Sequence, residues 1–467
     1  MADYRLLIGG KLVAGDAIMD VINPATEQVL ATCPRASERQ LDDAVAAAKA
    51  AFPAWARTPV AERQGMLLRL ADAIDANADE LARLLTQEQG KPFPEASAEI
   101  LYTAIFIRQF ATLEVKDKII EDSATRRVVQ QRKPLGVVGA IIPWNFPVLI
   151  VAFKMPLALI AGNTMVIKPS PTTPLATLRL GELIAGIFPA GVINIVTDQN
   201  DLGAKLTAHP DVAKISFTGS SETGKKVMAS AAATIKRLTL ELGGNDAAIV
   251  LGDVDPAKVA PGIFGGAFTN AGQVCLAIKR VYAHEAIYDR LVDELAKLAN
   301  EAVVDDGLQQ GTRIGPIQNK MQYEKVKGFL DTARADGTIV AGGEVLDRPG
   351  YFIRPTIVRD ISDGTQLVDE EQFGPILPII KYSDPEDALA RANASPLGLG
   401  GSIWSNDRAV AYDMASRMES GTTWINTHLD FGPTIPFGGA KQSGIGVEFG
   451  EEGLEEFTQI HIVNEAK

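Results

Sequence analysis

Of the two cysteines in the chain, Cys33 and Cys275, the second stands in FTNAGQVCLA (268–277), a stretch of small and uncharged residues. No lysine, arginine or histidine lies beside it. Alone, such a thiol reads as a small buried hydrophobe, so its meaning depends on what else the chain carries. Glu241 ends the apolar run of TLELGGNDAAIV, between Leu240 and Leu242 and before two glycines. Partial desolvation there would raise its pKa toward that of a useful general base; a plain strand-end glutamate is the alternative. Asn145, in IIPWNFPVLI, sits in a loop fixed by Pro143 and Pro147. Its amide could donate to a developing oxyanion or simply form a turn.

Other residues have the chemistry to hold an anionic or ribose-bearing ligand. Lys168 closes the strand-like run of TMVIKPSPTTP, where prolines stop the strand. It could reach a ribose or phosphate, or remain a solvated charge. KISFTGSSETGKKVMAS sets Gly219, Ser220 and Gly224 between a strand and a helix. Free N–H groups in such a turn suit phosphate. The spacing is G-S-x-x-x-G rather than GxGxxG, and an ordinary serine cap would look the same. Glu371 and Phe373 precede the Gly-Pro turn of EEQFGPILPII, and PFGGAKQSGIG is a glycine-rich loop open to close backbone approach; either could be structural punctuation. The four histidines, 209, 284, 428 and 461, are scattered, and CxxC, HxxxH and HExxH are absent. No metal is therefore expected, and no histidine stands in a motif near Cys275 to act as its base.

The elements that must position these residues follow from periodicity. Residues 38–112 are rich in Ala, Leu, Glu and Arg at helical spacing and predict several amphipathic helices. Residues 114–134 are polar, with β-branched pairs around a Ser/Ala/Thr turn, and predict a hairpin apart from a core. From 135 onward the runs LGVVGAII, NTMVIKP, GVINIV and AKISFTG alternate with helical segments. That βαβα order predicts an α/β fold with a parallel sheet covered on both faces, with ligands at the carboxyl ends of its strands. A second α/β pattern begins near NDAAIVLGD (245–253) and runs to about residue 440, with strands at RVYAHE and ILPIIKY. The final FTQIHIVNEA alternates like an edge strand.

A chain of 467 residues, 46% hydrophobic and 22% charged, fits two or three domains with large cores. A net charge of −13 disfavours non-specific binding to nucleic acid or anionic membrane, so an anionic cofactor must be held by local geometry. Two cysteines point to a reducing compartment. With no secretory signal at the start and no apolar stretch of membrane-spanning length, the expected location is cytoplasmic.

PWNFP, KPS, FTGS…G, LELGG, GQVC, EQFGP and PFGGxKxSGxG occur in this order over nearly the whole chain. Together they resemble the aldehyde dehydrogenase superfamily. The resemblance implies that Cys275 is the nucleophile, Glu241 the base for hydrolytic water, and Asn145 with the Cys275 N–H the oxyanion site. It places Lys154 and Glu448 as a proton-relay pair. Lys168 would hold the adenosine ribose, beside Ser170 of KPS, and Glu371 the nicotinamide ribose. Phe373 would support the nicotinamide, and Trp144, Gly219, Ser220, Gly224 and Leu242 would lie along the cofactor cleft.

The implied fold joins a Rossmann-like cofactor domain (1–113 and 135–244), an α/β catalytic domain (245–440) and a β oligomerisation arm (114–134 and 455–467), with 441–454 as a return segment. An exposed strand needs a partner, so a homodimer or homotetramer is expected. Phe146, Leu149, Leu276, Leu429 and Phe431 would line an apolar aldehyde tunnel. No arginine in these stretches can hold a second carboxylate. Many NAD-preferring members carry Glu directly after KPS. Here Pro171 stands instead, which removes repulsion toward a 2′-phosphate and leaves the cofactor as NAD or NADP. Two rival readings remain: a CoA-acylating enzyme, disfavoured because it needs no water-activating base at Glu241, and a non-enzymatic protein that keeps the fold.

Overall fold

The computed structural model describes residues 3–467 and resolves two large sheets and a smaller arm. In the eight-stranded sheet, Val137–Ile141, Thr164–Lys168, Ile193–Ile195, Val212–Thr218 and Arg237–Glu241 run parallel, with the first of them at the centre. Taken in chain order, they lie 3-2-1-4-5 across the sheet. Val137–Ile141 and Thr164–Lys168 are buried throughout, as expected of strands covered on both faces. The order reverses between Val137–Ile141 and Val212–Thr218. At such a switch point the loops leave in opposite directions and open a crevice at the carboxyl ends.

Three short strands extend this sheet antiparallel. Leu6–Ile8 pairs with Ile193–Ile195 and carries Lys11–Val13, while Gly444–Ile445 pairs with Arg237–Glu241. Too short for a periodic signal, they were not predicted, nor was the hairpin Ala17–Asn23/Gln28–Arg35.

The predicted helical stretch forms Glu38–Trp55, Val60–Ala76, Ala78–Gln89 and Phe93–Phe110. Ser37 starts the first with a reciprocal cap to Gln40, and Gly90, at φ 99°, ends the third. Apolar faces of the last three enter a large core with Leu149–Ile160, the helix that follows Asn145.

The seven-stranded sheet runs Thr338–Ala341, Thr356–Arg359, Ile376–Tyr382, Ile278–His284, Asp246–Val250, Gly400–Trp404, Thr422–Ile425, and only its first pair is antiparallel. The link Leu242–Asn245 joins the carboxyl end of one sheet to the amino end of the other. The expectation of ligand residues at carboxyl ends therefore needs correcting for the second sheet. Asn145, Lys168, Ser220 and Glu241 follow or end first-sheet strands, but Cys275, Glu371 and Phe373 precede Ile278–His284 and Ile376–Tyr382.

The predicted hairpin is Lys118–Asp122 with Arg126–Pro134, and Thr458–Ala466 pairs antiparallel with the latter along its whole length. Together they form a separate three-stranded sheet.

Candidate active site

Cys275 follows a strained turn. Asn270 and Ala271 have φ of 52° and 54°, and Gly272 has φ of 73°. A Cβ on Gly272 would lie 2.4 Å from the Gly374 carbonyl oxygen, so the turn packs tightly on the Glu371–Gly374 loop. On the other side, a Cβ on Gly244 would lie 2.5 Å from the Cys275 carbonyl oxygen, and one on Gly243 the same distance from Glu371 Oε2. The glycine pair after Glu241 lets the inter-sheet link pass between these two residues. Asn145 meets the same turn: its Nδ2 donates to the Gln273 carbonyl at 3.0 Å, and its Oδ1 has no partner.

The electrostatics around the sulfur are mixed. Burial pushes the Cys275 thiol up to about 12, opposed by the Lys279 ammonium and reinforced by Glu371, Asp246 and Glu241. At neutral pH the resting thiol is protonated and needs a base or a nearby positive charge to react. Glu241 is buried and neither carboxyl oxygen has a hydrogen-bond partner among the described residues. Burial, then repulsion from Glu448, hold its pKa well above the usual carboxylate range, with Lys154 acting in the opposite direction. A carboxyl left bare in this way keeps both lone-pair edges free for a water or a thiol proton.

Lys154 and Glu448 are in contact, fully enclosed, and Lys154 Nζ also donates to Ser216 Oγ at 3.0 Å. The charges of Glu448 and Lys154 act on Glu241 in opposite senses, so the three groups form one electrostatic cluster.

The candidate cofactor residues line the crevice. Ser220 begins the helix Ser221–Ala231, and its Oγ accepts from the Thr223 N–H at 3.3 Å, so the side chain acts as the serine cap that the sequence left open. Gly219 and Gly224 are closely packed: a Cβ would lie 2.5 Å from the Phe217 ring and 2.5 Å from Leu242 Cδ2, respectively, so either side chain would have to shift. Backbone can thus approach a diphosphate at the helix start. Ser170 Oγ accepts from the Thr172 N–H at 3.4 Å within its own turn. Trp144 and Phe373 meet edge to face at 5.3 Å. Glu371 Oε1 accepts from the Gly244 N–H at 3.1 Å. A dinucleotide fits this set: the helix-start amides that the Ser220 cap does not take and close-packed glycines for the diphosphate, Lys168 and Glu371 for the two riboses, and an aromatic pair for the nicotinamide end.

The five candidate tunnel residues share one apolar cluster. Leu149 and Leu276 are buried, and Phe146, Leu429, Phe431 and Cys275 pack against it. Phe431 lies 6.3 Å from both Phe106 and Phe153, neither foreseen from sequence.

Sequence reading passed over several buried polar groups here. Lys279 donates to the Val274 carbonyl and stands 5.5 Å from the Phe373 ring; burial lowers its pKa, opposed by Glu371 and Asp246. His428 Nε2 donates to the Leu276 carbonyl at 2.7 Å, and burial pushes its pKa down to about 3, so the ring is neutral. Asp198 pairs with Lys168 at 2.6 Å. In each case the partner is distant in sequence or is a backbone atom. The one available signal was a charged residue inside an apolar run, as with Lys279 before RVYA.

These features define an α/β oxidoreductase with a nicotinamide-dinucleotide crevice against a cysteine turn. The aldehyde dehydrogenase family profile matches residues 13–463. A phenylacetaldehyde dehydrogenase of Pseudomonas fluorescens is 40% identical over 97% of this chain and 94% of its own length. The solved NAD+ complex of an aldehyde dehydrogenase from Bacillus cereus superposes with a TM-score of 0.97 at 37% identity, over 100% of this chain and 97% of that one. An NADP-dependent enzyme of E. coli does so with a TM-score of 0.97 at 36% identity, over 100% and 98%. The chain belongs to the aldehyde dehydrogenase family. It is an NAD(P)-dependent enzyme that oxidises aldehydes.

Proposed function

We propose that the enzyme converts an aldehyde bearing no second charged group into its carboxylic acid, with water rather than CoA taking the acyl group. The Cys275 thiol gives up its proton to solvent, favoured by a nearby positive charge; the thiolate adds to the carbonyl carbon, and the new oxyanion is received by Asn145 Nδ2 and the Cys275 N–H. When bound, the nicotinamide supplies the hydride acceptor, which leaves a thioester on Cys275. Glu241 then takes a proton from water, whose oxygen attacks the thioester carbonyl; the C–S bond breaks, the acid departs and Cys275 is left as the thiolate. Lys154 and Glu448, whose charges act on Glu241, take that proton away from it. Lys168 and Glu371 hold the two riboses, Phe373 with Trp144 flanks the nicotinamide, and the Gly219–Ser220 turn carries the diphosphate.

The observation that carries this reading is the unpartnered, desolvated Glu241 carboxyl, which a CoA-acylating enzyme would not need. The shared apolar cluster of Phe146, Leu149, Leu276, Leu429 and Phe431 supports an aliphatic or aromatic aldehyde, as does the name of the Pseudomonas relative. Both cysteines are free thiols, in keeping with a reducing compartment, and the exposed arm supports a homo-oligomer.

Glu241→Gln tests the base. Gln keeps the size but cannot take a proton, and a positioned base is worth roughly 10²–10⁴-fold. Rapid mixing should show a burst of reduced cofactor, near one per functional site, followed by a slow steady rate, whereas Cys275→Ala should show neither phase. A Glu241→Gln enzyme with wild-type steady turnover would remove Glu241 as the base.

A further inference from the structure

Three charged residues ahead of and within the helix Phe93–Phe110 have no part in these steps, yet their polar atoms converge on the two catalytic loops. Lys91 and Glu99 are buried, with an Nζ–Oε2 distance of 2.5 Å. The ammonium has two further neighbours: it donates to the backbone carbonyl of Asn145 at 2.8 Å and stands 3.7 Å from the centroid of the Phe146 ring. The other oxygen of Glu99 accepts the N–H groups of Val148 and Leu149, at 3.1 and 3.2 Å, where the helix Leu149–Ile160 begins. One ion pair therefore grips the PWNFP loop at both ends, before and after Phe146.

The same device reaches the nucleophile turn. Asn270 Nδ2 donates to the Asn145 carbonyl at 3.2 Å, alongside Lys91, and Glu95 Oε2 accepts the Asn270 N–H at 2.9 Å. Asn270 opens the left-handed turn that leads to Cys275. Stability is a weak reason for such a buried pair, since well-packed apolar replacements are often neutral or stabilising. What an apolar pair could not supply is a directed hold on one carbonyl.

We propose that Lys91 and Glu99 are positioning residues that set where Asn145 presents its amide to the reacting oxygen and, through Asn270, how the Cys275 turn lies against it. The proposal rests on the reading of Asn145 as an oxyanion donor. Displacement of such a donor by about 1 Å can cost on the order of 10²-fold in rate, so the device should act on acylation rather than on cofactor binding.

The test is the full-length double variant Lys91→Met/Glu99→Gln. It removes both charges of the pair together, leaves Glu95 with Arg313 as its cationic neighbour and keeps an acceptor for the Val148 and Leu149 amides, but it loses the bond to the Asn145 carbonyl. With saturating NAD+, the burst of cofactor reduction should slow about tenfold or more. Burst amplitude, NADH affinity by fluorescence and Tm should stay near wild type. A merely structural pair would change amplitude or Tm and leave the burst rate per functional site alone, and that result overturns the proposal. Should the double variant fail to fold, Lys91→Met alone, which removes the same bond to the Asn145 carbonyl, carries the comparison, and an unaltered burst rate again overturns the proposal. Asn145→Ala run in parallel separates the two readings. If it keeps the wild-type burst, the oxyanion reading falls and takes this one with it. If it slows the burst while the clamp variant does not, only the positioning role falls.

Discussion

At the residue scale, the environment of Glu241 ties activity to stability through one proton. Its pKa is raised by burial and by Glu448. As the proposed base, Glu241 works only when ionised, so deacylation-limited turnover should climb as pH rises through that elevated value and not through the ordinary carboxylate range. The same shift acts on folding with the opposite sign. A raised pKa contributes stability that is fully present below the ordinary value of 4.5 and is lost as pH rises through the folded value. Glu241→Gln should therefore abolish the acid limb of the steady-state profile, and its Tm advantage over wild type should grow with pH. A limb near pH 4.5, or a Tm difference that is flat with pH, would contradict this.

Lys168 carries a second residue-scale argument. Pro171 leaves the adenosine end without the carboxylate that often follows KPS, but Asp198 brings one back from another strand's loop. Asp198 Oδ1 lies 2.6 Å from Lys168 Nζ, and Oδ2 accepts the Leu202 N–H at 2.9 Å. The pair neutralises the lysine, so it offers a 2′-phosphate no net positive charge. Asp198→Asn should improve NADPH binding relative to NADH by roughly tenfold, about 1.4 kcal/mol, in fluorescence titrations without aldehyde. An unchanged ratio would place cofactor choice elsewhere.

At the element scale, the arm shows what a strand does when it has no core to enter. In Thr458–Ala466 only Thr458 is buried, and Ile460 and Ile462 share one exposed face. One edge is occupied by Arg126–Pro134 and the other is free. Exposed β-branched residues beside a free edge invite pairing with a second chain. Replacing Ile460 and Ile462 with Asp should reduce the particle mass in light scattering to that of a smaller assembly, with the chain still folded. An unchanged mass would mean that the arm is not the interface.

At the scale of the whole molecule, the proposed site lies where the carboxyl ends of one sheet face the amino ends of another, and Leu242–Asn245 is the seam. The two sheets bring complementary parts: strand-end loops and an exposed helix start on one side, a strained turn and a buried acid–lysine cluster on the other. Gly243 and Gly244 allow the approach, since any side chain there would strike Glu371 or Cys275. A net charge of −13 leaves any attraction for an anionic dinucleotide to local groups, chiefly backbone amides.

The sequence by itself determined the parallel strands within LGVVGAII, NTMVIKP, GVINIV, AKISFTG, RVYAHE and ILPIIKY, though not Thr356–Arg359, Gly400–Trp404 or Thr422–Ile425, together with the hairpin and terminal strand of the arm, several helices and the residue types of the site. These depend on local period, on turn residues and on the order of motifs, all readable along a line. It could not show that Glu241 lacks any partner, that Asp198 neutralises Lys168, or that Lys91 holds the Asn145 carbonyl. Nor could it show two-residue strands such as Gly444–Ile445, which exist only because a neighbouring strand supplies their hydrogen bonds. Those features belong to the tertiary structure. A buried charge or an edge strand is defined by what packs against it, and here the partners lie tens to hundreds of residues away.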